Sequence, residues 1–83
     1  GIGWATAELF RREGATVLSV GLEASSDLSI DLSAPGSAKQ VFDFAGPLEA
    51  VVLNAGVCRP ANLLDANDVD WHWTLDVNLT ATF

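Results

Sequence analysis

Gly1-Ile2-Gly3 runs directly into an amphipathic stretch, and glycines at a helix start point to phosphate chemistry. A residue without Cβ lets a pyrophosphate approach the backbone. The N–H groups of the first helical turn, Trp4 included, then meet it with the positive end of the helix dipole. Each such contact is worth roughly 0.3–1 kcal/mol. Two further constellations follow. Asn54-Ala55-Gly56 ends the most apolar run of the chain, where a parallel sheet opens a ligand crevice beyond its strand ends. Asn78 shares a helical stripe with Trp71, Leu75, Leu79 and Thr82, and a buried amide left unpaired costs about 1–3 kcal/mol, so something must satisfy it. Each constellation also has a plainer reading: flexible glycines before a helix, a strand-ending turn, and an Asn bonded to neighbouring backbone.

The elements that position these residues alternate in period. Ile2, Ala5, Leu9 and Phe10 give the first helix, Trp4 to Glu13, an apolar face, with Glu8 and Arg12 paired four apart on the other side. Gly14 is the expected stop. Thr16 to Val20 reads as a β-branched strand ending at Gly21, and Leu28 to Asp31 as a weaker one. Ser33 is a candidate cap for a second helix with Pro35 in its first turn. That helix has a core-facing stripe of Ala34, Ala38, Val41, Phe42 and Ala45, and it ends at Gly46-Pro47. Glu49 to Leu53 is the clearest strand, an unbroken run of the kind buried on both faces of a parallel sheet. A last helix runs from about Asp68 to the end. Strands alternating with helices predict βαβ units, an α/β fold with a parallel sheet.

Composition limits the possibilities. With 83 residues, 49% of them hydrophobic, the chain has the makings of one small folded domain rather than a disordered segment. Eleven acidic residues against four basic ones give a net charge of −7, which disfavours nucleic acid and anionic membrane surfaces as partners. A dinucleotide is not disfavoured, because backbone N–H groups hold its phosphates. The single cysteine, Cys58, fits a reducing compartment, and no apolar run reaches the roughly 20 residues that span a bilayer. A cytoplasmic location is the expectation.

Taken together, the motifs resemble the short-chain dehydrogenase/reductase family. Gly1-Ile2-Gly3 with Ala5, Ala7, Leu9 and then Glu13-Gly14-Ala15 is similar to the end of its Thr-Gly-x-x-x-Gly-Ile-Gly motif and the following helix. Leu53-Asn54-Ala55-Gly56 resembles its Asn-Asn-Ala-Gly motif, with Leu53 in place of the first Asn. Asp70-Trp71 followed by Asp76-Val77-Asn78-Leu79-Thr80 resembles its fifth helix. The resemblance covers essentially the whole chain.

It implies a Rossmann-like doubly wound parallel sheet, with residues 1–83 a partial NAD(P)-binding domain that lacks the first strand and the C-terminal half. It also implies cofactor contacts at Gly1, Ile2, Gly3, Asp31, Leu32, Asn54, Ala55 and Gly56. Asn54 would tie the strand ends together. Asn78 would be the catalytic Asn, at a kink whose backbone carbonyl holds a water linked to the catalytic Lys. The chemistry implied is hydride transfer between NAD or NADP and a small alcohol or carbonyl compound, in a homo-oligomeric parent. The last helix, with a second apolar stripe of Val69, Trp73 and Val77, would be buried on two sides. A non-catalytic nucleotide-binding or interaction module on the same fold is the alternative.

Cofactor choice turns on the end of the second strand, where an acid accepts the ribose hydroxyls of NAD. Gly21-Leu22 occupy that place. Glu23 comes slightly late, and a solvated loop carboxylate is its plainer reading; the absence of a nearby basic residue leans the expectation to NAD. His72 reads as a surface residue, Cys58 as a loop thiol, and no metal site is expected. The chain has no tyrosine, and its one lysine, Lys39, lies on the second helix. The Ser, Tyr and Lys of the family's chemistry are therefore missing, and the chain alone is expected to be inactive. Without the central first strand it is also expected to be marginally stable and prone to aggregate through open sheet edges.

Overall fold

The computed structural model describes residues 1–83. Helix α1 (Ile2–Arg12) is followed by a parallel pair of short strands, β1 (Val20–Gly21) and β2 (Leu28–Ser29), then by helix α2 (Ser37–Ala45). A 3-10 turn at Leu63–Asp65 precedes helix α3 (Asp68–Leu75), which continues as a π-helical turn over Asp76–Thr80. The architecture is α/β with a parallel pairing, Val20 opposite Leu28 and Gly21 opposite Ser29. Parallel strands ordinarily need a crossover of about a dozen residues. Here residues 22–27 suffice, because a ladder this short asks the loop to return only about 7 Å.

The helix stops follow from glycine. Gly14 has φ +93°, and beside it Gly14 N–H donates to the Arg11 carbonyl at 3.1 Å while Ala15 N–H donates to that of Phe10 at 3.0 Å. Those two bonds complete a Schellman closure, which needs a left-handed residue at this position. Gly46, φ +69°, ends α2, and its N–H donates to the Phe42 carbonyl at 3.0 Å. The start of α2 differs from the expectation. Ser33 does not cap it; its N–H and hydroxyl turn back to Asp31 Oδ1, and the helix begins only at Ser37, after Gly36 in the left-handed region. The Glu8 partner differs as well. Glu8 pairs with Arg11 at 3.1 Å rather than with Arg12, because Arg11 is drawn to the side of α1 where Asp27 and the Val17 carbonyl lie.

Glu49 to Leu53 is not a strand. The segment from Pro47 to Ala61 makes no backbone–backbone hydrogen bond, since no other strand lies alongside it. A ladder is a property of two segments, and apolar sequence supplies only one of them. The same openness governs the surface. The accessible area is 6688 Å², against about 4,700 Å² for a folded monomer of this mass. The only buried residue is Ser37, whose hydroxyl donates to the Leu32 carbonyl at 2.8 Å.

Apolar stripes expected to be covered are therefore exposed. Ile2, Leu9 and Phe10 of α1 face outward, as do Phe42 of α2 and Val69, Trp71 and Leu79 of the last helix. Their periodicity is helical, but nothing within the chain covers them. No helix is long and apolar enough to cross a membrane.

Asp27 ties the first half together. Its Oδ2 accepts from Ser19 N–H and the Ser19 hydroxyl, both at 2.7 Å, and from Arg11 at 3.5 Å. The hydrogen bonds from Ser19 hold the carboxyl below its ordinary pKa of 3.8, with Arg11 adding to them. A group depressed in the fold stabilises it above its unfolded pKa, and that contribution is lost as pH falls through the lower folded value. The Asp27 carboxyl, followed by NMR, is expected to titrate below 3.8, and Ser19→Ala to raise the midpoint. An unshifted midpoint in the unsubstituted protein would disprove the clamp.

Candidate functional site

The start of α1 and the Asn54 turn meet. A Cβ placed on Gly3 would lie 2.5 Å from Asn54 Nδ2 and 3.1 Å from its Cγ, so the Asn54 amide occupies the space that a larger residue would need. Asn54 therefore packs on the glycine turn; the expected tie between strand ends is replaced by this contact with a helix. Gly1 acts as the cap of α1 without a side-chain acceptor, and no acid lies in the first turn. The N–H groups of Ile2, Gly3 and Trp4 consequently have no partner within the helix, as at any helix start. Ile2 is 80% exposed and Gly1 has open space around it.

The turn continues to Asn78. Asn78 Oδ1 accepts from Val57 N–H at 2.7 Å, and its Nδ2 donates to the Val57 carbonyl at 2.8 Å. This satisfies the amide through neighbouring backbone. Contrary to the burial expected from its stripe, Asn78 is exposed, because nothing in the chain covers that face of the helix. Gly56 sits under the pair: a Cβ there would meet Asn78 Oδ1 at 3.5 Å, an ordinary contact, whereas at Gly3 the Asn54 amide would have to shift.

Asn78 lies within the π-helical turn, where Ala81 N–H reaches back to the Asp76 carbonyl at 2.8 Å. Such turns leave carbonyls out of the regular ladder and occur often at functional sites. The Asn78 carbonyl receives only the Thr82 hydroxyl, at 3.3 Å.

A third tie was not anticipated from the sequence. Arg59 forms an ion pair with Asp70 and lies 4.2 Å over the centre of the Trp73 ring. Asn67 caps α3, accepting from Asp70 N–H at 2.9 Å and donating to the Asp70 carboxylate at 2.8 Å. The Asn67 hydrogen bond and then Arg59 hold the Asp70 carboxyl below its ordinary pKa. The signal available was Arg59, one of four basic residues, followed by Asp68 and Asp70 at a helix start.

The other candidates stand apart. Asp31 Oδ1 accepts from Ser33 N–H at 2.9 Å and from the Ser33 hydroxyl at 2.6 Å, bonds that lower its pKa. The Leu32 carbonyl holds Ser37, and no hydrogen bond joins Asp31 or Leu32 to the Gly3, Asn54 and Asn78 group. Ala55 lies exposed between Asn54 and Gly56. Cys58 is exposed, His72 Nδ1 is bonded to the Asp68 carbonyl of its own helix, and no three potential metal ligands cluster.

The chain is 33% identical over 95% of its length to a hydroxy(phenyl)methylsuccinyl-CoA dehydrogenase subunit of Thauera aromatica, of which it covers 30%. It is 29% identical over 96% of its length to an uncharacterized short-chain type dehydrogenase/reductase of Sinorhizobium fredii, covering 40% of it. It is 29% identical over its full length to a 3-oxoacyl (acyl-carrier-protein) reductase of Thermotoga maritima, covering 42%. The chain thus spans between 30% and 42% of these curated relatives. No family model and no solved structure matches it.

The Val57 N–H has Asn78 as its only partner. Asn78→Ala is expected to speed hydrogen exchange at the Val57 amide several-fold, the size of one net hydrogen bond. Unchanged exchange would show that Asn78 does not hold that turn.

Proposed function

Over these 83 residues the chain belongs to the short-chain dehydrogenase/reductase family, and we propose that it forms the dinucleotide-holding part of an NAD(P)-dependent oxidoreductase acting on an alcohol or carbonyl compound. The observation that carries this reading is the seating of Asn54 on Gly3, which joins the helix start to the turn after the apolar run. Gly3 keeps the first turn of α1 free of side-chain bulk, so its unpaired N–H groups are left for a pyrophosphate. Ala55 and Gly56 offer backbone to a ribose. Asn78 holds Val57 and so fixes where that backbone lies.

The fold proposed for the parent is a Rossmann-like doubly wound sheet. In that order a further strand lies between the β1–β2 pair and residues 49–53, and it would give the unpaired segment its ladder. The exposed faces of α1 and α3 then pack against the sheet and against a neighbouring subunit. When bound, the dinucleotide supplies the site that donates or accepts hydride. Asn78, with its carbonyl bonded only to Thr82, is proposed to orient a water on the proton path. The chain has no tyrosine, so the proton donor is assigned to the protein outside these residues.

The full-length protein is expected to bind NADH or NADPH in a fluorescence titration. Gly3→Ala, which forces the Asn54 amide out of its place, is expected to weaken that binding about tenfold, near 1.4 kcal/mol. Failure of the protein to bind either dinucleotide would contradict the proposal.

A further inference from the structure

The segment that leaves the Asn54-Ala55-Gly56 turn is attached twice to one helix. Val57 N–H donates to Asn78 Oδ1 at 2.7 Å, and the Val57 carbonyl accepts from Asn78 Nδ2 at 2.8 Å. Two residues later Arg59 pairs with Asp70 and lies 4.2 Å over the centre of the Trp73 ring. The two spacings match. Two residues of extended chain reach about 6.6 Å, and the helix rises about 7.5 Å between Trp73 and Asn78. Pro60 adds to the fit, because a proline ring biases the residue before it, here Arg59, toward extended backbone. Residues 57–59 therefore form a strap that runs back along the last helix, from its π-helical turn toward its start.

The helix side of the second attachment is built in advance. Asn67 Oδ1 accepts from Asp70 N–H at 2.9 Å, and Asn67 Nδ2 donates to the Asp70 carboxylate at 2.8 Å. The Thr74 hydroxyl donates to the Asp70 carbonyl at 2.7 Å. Asp70 is thus aimed by its own helix at the place where Arg59 meets it. Arginine suits both contacts at once. The edge of its planar guanidinium reaches the carboxylate while its face lies on the ring, whereas a lysine ammonium is a point charge. The Lys39–Asp43 pair differs in kind, since it joins two residues of α2 and ties no segment to another.

A strap held at one point can turn about it, and a strap held at two points cannot. Residues 47–61 have no backbone–backbone hydrogen bond to share that task. From this geometry, and resting on the dinucleotide reading above, we propose that Arg59 is a positioning residue of the cofactor site. It acts through Val57 and Asn78. By holding the far end of the strap it keeps the Val57 peptide in the grip of the Asn78 amide, and so keeps the Ala55-Gly56 backbone in place for a ribose.

Hydrogen exchange by NMR and dinucleotide affinity by calorimetry, both on the full-length protein, test this role. Arg59→Ala is expected to speed exchange at the Val57 amide, which Arg59 does not touch, about fivefold. The Ser19 amide, held by Asp27, is expected to keep its rate. The same variant is expected to weaken binding of NADH or NADPH, whichever the unsubstituted protein binds more tightly, about fivefold. Arg59→Lys, the milder change, is expected to shift both readouts about twofold in the same directions. In the Asn78→Ala background Arg59→Ala is expected to add no further loss of affinity, because its route passes through Asn78. Lys39→Ala, which removes an exposed ion pair elsewhere, is expected to move neither readout. Equal acceleration at Val57 and Ser19 would mark a general loss of stability and overturn the assignment. So would an unmoved Val57 amide, an unmoved dinucleotide affinity, or losses that add in the Arg59→Ala and Asn78→Ala double variant. In each of those cases the dinucleotide reading would stand. Binding of neither dinucleotide by the unsubstituted protein would overturn that reading and the role of Arg59 together.

Discussion

The stretch from Pro47 to Ala61 makes no backbone–backbone hydrogen bond, and the candidate site depends on how side chains hold it. Three ties do so. Asn54 rests on Gly3 of α1, Asn78 grips the Val57 peptide from the π-helical turn, and Arg59 is clamped between Asp70 and Trp73 of α3. Each tie joins residues far apart in sequence, so each must be worth more than the loop entropy it removes, a cost that grows only slowly with loop length. The Asn78 pair satisfies both the N–H and the C=O of one peptide, which fixes position and orientation together. The glycines on either side differ in role. A methyl group at Gly3 would displace the Asn54 amide, the movable end of a side chain, whereas one at Gly56 would make only an ordinary contact.

The first half of the chain is organised by a different hub. A Schellman closure ends α1 at Gly14, and the Asp27 carboxylate then joins the Arg11 guanidinium to Ser19 just ahead of β1. These polar links are exposed, and surface ion pairs are individually weak, about 0–1 kcal/mol. They set the register of a short ladder, but they do not replace an apolar core. The accessible area of 6688 Å² and the outward-facing Ile2, Trp4, Leu63, Leu64, Val69 and Trp71 describe apolar faces with nothing over them. Such faces are consistent with a chain that spans less than half the length of the relatives it matches.

Local features of the fold were legible in the sequence, and non-local ones were not. The helices and their stops at Gly14 and Gly46 could be read because periodicity and left-handed glycines act within a few residues. The strand expected at residues 49–53 failed because its apolar composition says nothing about whether a partner lies beside it. Burial of Asn78 failed for the same reason: a helical stripe shows which side of a helix is apolar, not what covers it. The convergence of Gly3, Asn54 and Gly56 with Asn78 was implied by the motifs, but the atoms that meet were not. Val57 supplies the Asn78 partner through its backbone, which leaves no trace in residue type. Arg59 over Trp73 was readable only in hindsight, from a scarce basic residue ahead of an acidic helix start.

The contact between Gly3 and Asn54 is the claim on which the site stands, and a double-mutant cycle on stability tests it most directly. Urea unfolding of the full-length protein would compare Gly3→Ala, Asn54→Ala and the double variant. With the Asn54 amide gone, a methyl group at position 3 has nothing to strike. Gly3→Ala is therefore expected to cost less in the Asn54→Ala background, with a coupling of about 1 kcal/mol, within the range for residues in contact. Additive effects, with no coupling between the two positions, would contradict the contact and the site built on it.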